Sequence, residues 1–179
     1  MIGLATTRLT PKRKAHGAGD GMSKSVARVR AALDGAGIGA EILEMPDSTR
    51  TAADAARAAG CDLDQIAKSI IFRGEASGHV VLVLTAGGNR VDPARATAVA
   101  RQPLGKADAP LIREETGFAI GGVAPVGHLK PVTAFFDPRL LDFDRVWAAA
   151  GTPRHIFAIA PQVLLEMTGA EVAEFTETA

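Results

Sequence analysis

The stretch KSIIFRGEASGHVVLVLT, residues 68–85, limits what this chain can become more than any other. Its two runs, Lys68–Arg73 and His79–Thr85, are apolar at consecutive rather than alternate positions. A strand with one wet face alternates apolar and polar residues; a strand buried on both faces does not. The intervening GEASG suits a hairpin loop. The pattern predicts two central strands of a sheet, covered by helices on both faces.

The rest of the chain supplies that cover. Ser23–Ala36 places Val26, Val29, Ala32 and Leu33 at helical spacing, with Ser23 as a cap and Gly35 and Gly37 as terminators. Residues 47–59, DSTRTAADAARAA, predict a second helix stopped by Gly60, and residues 63–67 one more helical turn. Further helices are predicted over 92–101, with Pro93 in the first turn, over 110–115 and over 161–167. Short strands are predicted at 41–45, 131–136, 154–160 and 170–175. Helices and strands mix without strict alternation. The expected fold is therefore α/β (α+β): one domain, residues 22–179, with a mixed, mostly antiparallel sheet and surrounding helices. Residues 1–21 are basic and then glycine-rich, and Met22 opens MSKSVARVRAAL like a natural start; a disordered tail is expected there.

Composition excludes several functions. The chain has 179 residues, 47% of them hydrophobic, which supports a real core. Lysine plus arginine and aspartate plus glutamate number 20 each, so the formal net charge is zero. Proteins that grip long nucleic acids by their phosphates are usually basic, so any such contact must be local. With seven Phe, one Trp and no Tyr, no stacking platform for general DNA binding is evident. Cys61 is alone and cannot close an internal disulfide, which fits a reducing cytoplasm. Apolar runs such as VVLVL are far too short to span a membrane.

Familiar motifs fail on context. GAGIGA, residues 35–40, spells a dinucleotide fingerprint, but a predicted helix precedes it and a strand follows, the reverse of what that motif needs. Gly122–Gly127 has phosphate-loop spacing, but His128 and Leu129 stand where lysine and a hydroxyl are required. No serine sits in G-x-S-x-G. His16, His79, His128 and His155 form no H-x-x-x-H pair, so no metal site and no cofactor are expected. Chemistry would then rest on backbone amides, a few side chains and the substrate itself.

TGFAIGGVAPVGH, residues 116–128, suits that role. Gly121, Gly122 and Gly127 allow backbone angles closed to other residues and close approach of a ligand, and Pro125 stiffens the segment. Such a loop can aim N–H groups at a developing oxyanion, or it can simply turn a corner; the pattern alone leaves both open. Lys68, at the start of an apolar strand, is either a functional cation or a lysine whose stem lies along the core.

Thr51 with AADAARAAG, then QIAKSIIF, then the T-G-x-x-x-G-G-V-x-P-x-G loop and the strand ending in Asp137, resemble the YbaK/ProX family of freestanding aminoacyl-tRNA deacylases. That family is similar to the editing domain inserted in bacterial prolyl-tRNA synthetases. The resemblance runs from about Ser23 to Thr176. It implies hydrolysis of the ester between a wrongly attached small amino acid (alanine, serine, threonine or cysteine) and the terminal adenosine of a tRNA, without metal or covalent intermediate. The partner would be the aminoacylated 3′ end, with an aminoacyl-tRNA synthetase as a second candidate. Lys68 would hold the 3′ end. The loop from Gly121 and Gly122 through Val123 and Pro125 to Gly127 would surround the aminoacyl group, and Thr51 belongs to the matching segment. A ribose hydroxyl of the tRNA would help position the attacking water. His128 is a candidate to position water or act as a base, or else a structural histidine. Asp137 is a candidate site residue or a turn-forming aspartate. Gly151 and Thr152 stand where relatives carry a glycine- and arginine-rich stretch and are candidates for the amino-acid pocket. The competing reading is a non-catalytic module that binds an aminoacyl or nucleotide end, or a synthetase.

Overall fold

In the computed structural model, which describes residues 22–47 and 49–178, the predicted hairpin is the middle of one eight-stranded sheet. Its strands are β2 (Ile66–Gly74) and β3 (Val80–Ala86), paired antiparallel without interruption from Ala67–Ala86 to Arg73–Val80. All seven residues of β3 are buried. Their alternation splits them between two cores: Leu82 and Leu84 join Val29, Leu33, Phe118, Phe136 and Phe157, while Val81 and Val83 join Ala96, Phe135 and Phe175. The expected tail lies outside the described residues.

The sheet runs β1–β7–β6–β2–β3–β5–β8, with β4 attached to β2. The remaining strands are β1 (Ile42–Glu44), β4 (Leu104–Lys106), β5 (Thr133–Phe136), β6 (Val146–Ala149), β7 (His155–Ile159) and β8 (Glu171–Val172). Four of the seven pairings are antiparallel and three, β2–β6, β3–β5 and β5–β8, are parallel, as expected of a mixed sheet. The helices are α1 (Lys24–Gly35), α2 (Ala52–Ala59), α3 (Pro93–Ala100), α4 (Ala109–Thr116) and α5 (Pro161–Thr168). Among the described residues no helix is long and apolar enough to cross a membrane.

Some expected boundaries move. The second helix begins at Ala52, not at residue 47, because Thr51 and Asp54 form a reciprocal capping box that fixes the first turn there. Only Leu63–Gln65 is a 3₁₀ turn; Ile66 and Ala67 already belong to β2. The final strand shrinks to two residues. β4 and β6 carry no sequence signal of their own. LGK holds no strong strand former and VWAA only two, Val146 and Trp147, before its alanines; pairing with β2 and β7 makes these short segments strands.

One buried acid ties α4 to the hairpin. Glu115 accepts a hydrogen bond from the Val80 N–H at 2.8 Å, and its other oxygen lies 2.6 Å from His79 Nδ1. Burial opposes its ionisation, but the hydrogen bonds from His79 and Val80 and the fields of His79 and Lys130 outweigh that and hold the carboxyl below the usual glutamate range. A carboxyl depressed in the folded state stabilises above its unfolded pKa and loses that contribution as pH falls through the folded value. Glu115→Ala is expected to lower stability by about 2 kcal/mol at neutral pH, since it strands the buried Val80 N–H. The difference from wild type should shrink from about pH 5 downward, as melting curves at several pH values would report.

Candidate functional site

The site grows from a gap in the sheet. On one side β2 is paired with β3 along its length. On the other, β6 pairs only with Ile66 and Ala67, and β4 only from Phe72 to Gly74. Among the described residues, 68–71 therefore face no strand on that side. A cavity of about 660 Å³ opens there. It exists largely because its walls stop at Cβ: Ala52 and Ala55 of α2, Ala67, Ala107, and Ala148 and Ala149 of β6. Ile112 and Val123 add apolar surface, and Gly121, Ile120 and Pro153 border it. Three cationic residues, Arg50, Lys68 and Lys106, border it, while among the described residues no acidic residue lines the space. Lys68 also lines a second hollow with Ile70, Thr85 and Arg90, on the face of β2 opposite Ser69. Trp147, the chain's one tryptophan, forms part of the wall.

Lys68 is half-buried and aimed by its neighbours. Its Nζ donates to the Asn89 carbonyl at 2.7 Å, and the Asn89 amide donates to Asp137 Oδ2 at 2.9 Å. Asp137 is 1% exposed and also accepts from the Ala86 N–H at 3.0 Å and the Arg139 N–H at 2.9 Å. It thus caps the 3₁₀ turn Pro138–Asp142 and fixes the end of β3. Desolvation pushes the Lys68 pKa down, Asp137 and Asp64 oppose this, and Arg90 adds to it.

The glycine loop is braced from behind. Thr116 ends α4, its hydroxyl donating to the Ile112 carbonyl at 2.6 Å and accepting from the Phe118 N–H at 3.1 Å. Arg28 of α1 donates to the Gly117 carbonyl at 2.9 Å and sits 5.4 Å over the buried Phe118 ring. At Gly122 the loop meets residues 152–153 backbone to backbone: a Cβ there would stand 2.6 Å from Thr152 Cα. Gly151 has φ +100° and lies against the Ser25 backbone, where a Cβ would come within 2.8 Å. Thr152 Oγ1 is 2.6 Å from His155 Nδ1, which locks that turn.

Of the residues singled out in the sequence, Thr51, Lys68, Gly121 and Val123 come together at the cavity. The Thr51 hydroxyl serves the α2 cap, accepting from the Asp54 N–H at 3.1 Å. Gly122, Gly151 and Thr152 form the layer behind the loop, and the Gly122 N–H donates to the Ala119 carbonyl at 3.1 Å instead of facing a ligand. Asp137 reaches the site through Asn89. Pro125, Gly127 and His128 are not brought to the cavity; they line a separate depression beside the end of α1. His128 Nε2 lies 2.6 Å from the Ala124 carbonyl, and the ring stands edge-on to Phe118. Burial pushes the His128 pKa down, against the Ala124 bond. Asn89, Arg50, Lys106 and the alanine walls escaped sequence reasoning. Only Asn89 carried a usable signal, a turn-type AGGN directly after an apolar strand.

Residues 46–167, more than half of the chain, match the sequence profile of the aminoacyl-tRNA editing domain. The chain belongs to that family. A solved structure described as a candidate trans-editing enzyme for prolyl tRNA synthetase is 47% identical, with a TM-score of 0.82, over 88% of this chain and 100% of that one. Hypothetical protein APE2540 is 30% identical, with a TM-score of 0.75, over 84% and 99% of the two chains. The uncharacterized protein YwhH of Bacillus subtilis (strain 168) is 32% identical over 136 residues, 74% of this chain and 83% of the relative. Within this aminoacyl-tRNA editing domain, the matched span contains α2, the whole of β2 with Lys68, the glycine loop and β6, which together build the cavity.

Proposed function

We propose that the protein is a freestanding deacylase that hydrolyses the ester joining a small amino acid to the terminal ribose of a mischarged tRNA. The observation that carries this reading is the cavity itself, small-walled and apolar inside and cationic around Arg50, Lys68 and Lys106. Its size suits an aminoacyl group together with part of a nucleoside. The cations complement RNA phosphates, and Trp147 offers an aromatic face to a base. Local positive charge on a neutral protein suits contact with one RNA end.

In this reading Lys68 holds the 3′ end, oriented by Asn89 and Asp137. The aminoacyl group lies in the sheet gap against Val123 and the alanine walls. Water, positioned with help from a ribose hydroxyl of the substrate, adds to the ester carbonyl. The developing oxyanion is met by backbone N–H groups of the loop and of β2. The acyl–oxygen bond then breaks, releasing the free amino acid and a tRNA with its terminal hydroxyl restored. An ester is activated enough that positioning and oxyanion stabilisation supply the rate without a protein nucleophile. The need for such a second site is physical: a synthetase pocket discriminates weakly between amino acids that differ by one small group.

The test is hydrolysis of labelled alanyl-, seryl-, threonyl-, cysteinyl- and prolyl-tRNA, using the proline acceptor first because of the description carried by the 47%-identical relative. Release of one or two amino acids well above the spontaneous rate is expected. Binding of the charged tRNA with no release from any member would replace the enzyme with a binding module.

A further inference from the structure

Ser69 is the residue of the cavity whose polar groups are least accounted for. Its Oγ is buried and has no hydrogen-bond partner among the described residues. Leaving a buried hydroxyl unpaired is costly, and in native structures such groups are few and commonly meet a ligand or water.

The backbone of Ser69 points the same way. The Gly74 N–H donates to the His79 carbonyl at 2.9 Å, so Gly74 and His79 form a hydrogen-bonded pair of the hairpin. Such pairs recur at every second residue. With the register Phe72–Val81, Ile70–Val83 and Lys68–Thr85, these residues turn their N–H and C=O groups toward β3. Ser69 and Ile71 turn theirs to the opposite side, where β6 stops at Ala67 and β4 does not begin until Phe72. Ser69 also lines the cavity, on the strand face it shares with Ala67 and Ile71. That face looks onto the alanine walls, Ile112 and Val123.

Three hydroxyl side chains line the cavity among the described residues: Thr49, Thr51 and Ser69. The Thr51 hydroxyl is engaged in the α2 cap, and Thr49 belongs to the same entering segment. Ser69 stands alone on the strand, amid apolar surface. As it stands the oxygen is covered, so contact with an occupant of the cavity requires a turn of χ1 to another staggered well.

We propose that Ser69 determines the amino-acid preference of this site, its hydroxyl pairing with a hydroxyl or thiol at the γ position of a small acyl side chain. Resting on the deacylase reading, the inference narrows the substrate class to seryl-, cysteinyl- or threonyl-type esters over their apolar counterparts. A site holding a hydroxyl for such a contact discriminates against a substrate that leaves it unpaired far more strongly than an apolar pocket discriminates by size.

The experiment compares kcat/KM for one tRNA charged with serine, alanine or 2-aminobutyrate, the last being the apolar isostere of serine. Wild type is expected to favour the seryl ester over the 2-aminobutyryl ester roughly tenfold or more. Ser69→Ala is expected to remove most of that ratio by slowing the seryl reaction while leaving the apolar esters unchanged or faster. Equal rates on the two isosteres in wild type, a measurement that needs no variant to fold, would overturn the proposal. So would a Ser69→Ala protein that melts normally and slows all three esters equally, which would place Ser69 on the part common to every substrate. If wild type released none of the three and nothing from the five-member panel above, the deacylase reading would fall as well; release without the ratio removes the Ser69 inference alone.

Discussion

Lys68→Ala is expected to lower kcat/KM for the preferred aminoacyl-tRNA roughly a hundredfold or more, with little change in melting temperature. Lys68 borders the cavity, and its half-buried side chain is fixed by Asn89, which is fixed in turn by the buried Asp137. A cation oriented by a chain of hydrogen bonds meets phosphate or ribose oxygens without first losing side-chain freedom. Alanine keeps the strand, its seven-residue pairing with β3 and its small neighbours, so the fold has no reason to yield. Steady-state kinetics on charged tRNA beside a melting curve separates the two effects. An unchanged rate in a normally folded variant would remove Lys68 from the site.

Gly122→Ala should act on both quantities. The new Cβ would stand 2.6 Å from Thr152 Cα, 2.7 Å from Thr152 C and 3.0 Å from Pro153 N. These are backbone atoms and cannot swing aside as a side-chain tip can. Overpacking of this kind costs about 1–3 kcal/mol. The loop carrying Gly121 and Val123 must shift, and displacements of the order of 1 Å at a positioning element cost roughly a hundredfold in rate. The expected result is a lower melting temperature together with a loss of kcat/KM comparable to that of Lys68→Ala. Gly39→Ala is the matched control, because a Cβ there meets nothing within 4 Å. If Gly122→Ala behaved like Gly39→Ala, the loop would not be held by Thr152.

The hairpin was legible because β2 and β3 lack alternation. Burial on both faces is the physical reason for β3, whereas β2, expected to be covered likewise, is only part-buried from Lys68 to Phe72, beside the cavity. The Ser23 cap was legible as well, since it satisfies an N–H only three residues away; Thr51 and Asp92, which cap α2 and α3, read from the sequence as lying inside those helices. Asp137 reads as a turn-former and does cap a turn; that it also orients Asn89 toward Lys68 depends on a contact 48 residues away. Lys68 by itself was ambiguous, and only the accompanying motif favoured a functional role. The cavity was hidden, because space left by alanines has no periodicity. Gly122 and His128 show the limit at finer grain. Both sit in the loop where a backbone donor or a base would be sought, yet the Gly122 N–H turns to Ala119 and the chain beyond Val123 carries His128 to a separate depression, edge-on to Phe118.

The interruption along β2 has a consequence for solubility. Unpaired strand backbone recruits other strands, and proteins blunt it with charge, bulges or cover. Here the exposed rung is bracketed at both ends, by β6 at Ala67 and by β4 at Phe72. An incoming strand needs several consecutive free positions to dock and would collide with one bracket or the other. A guest of single-residue length meets no such obstacle. The bracket therefore works as a length filter, keeping hydrogen-bonding backbone open to a guest one residue long while denying it to another polypeptide.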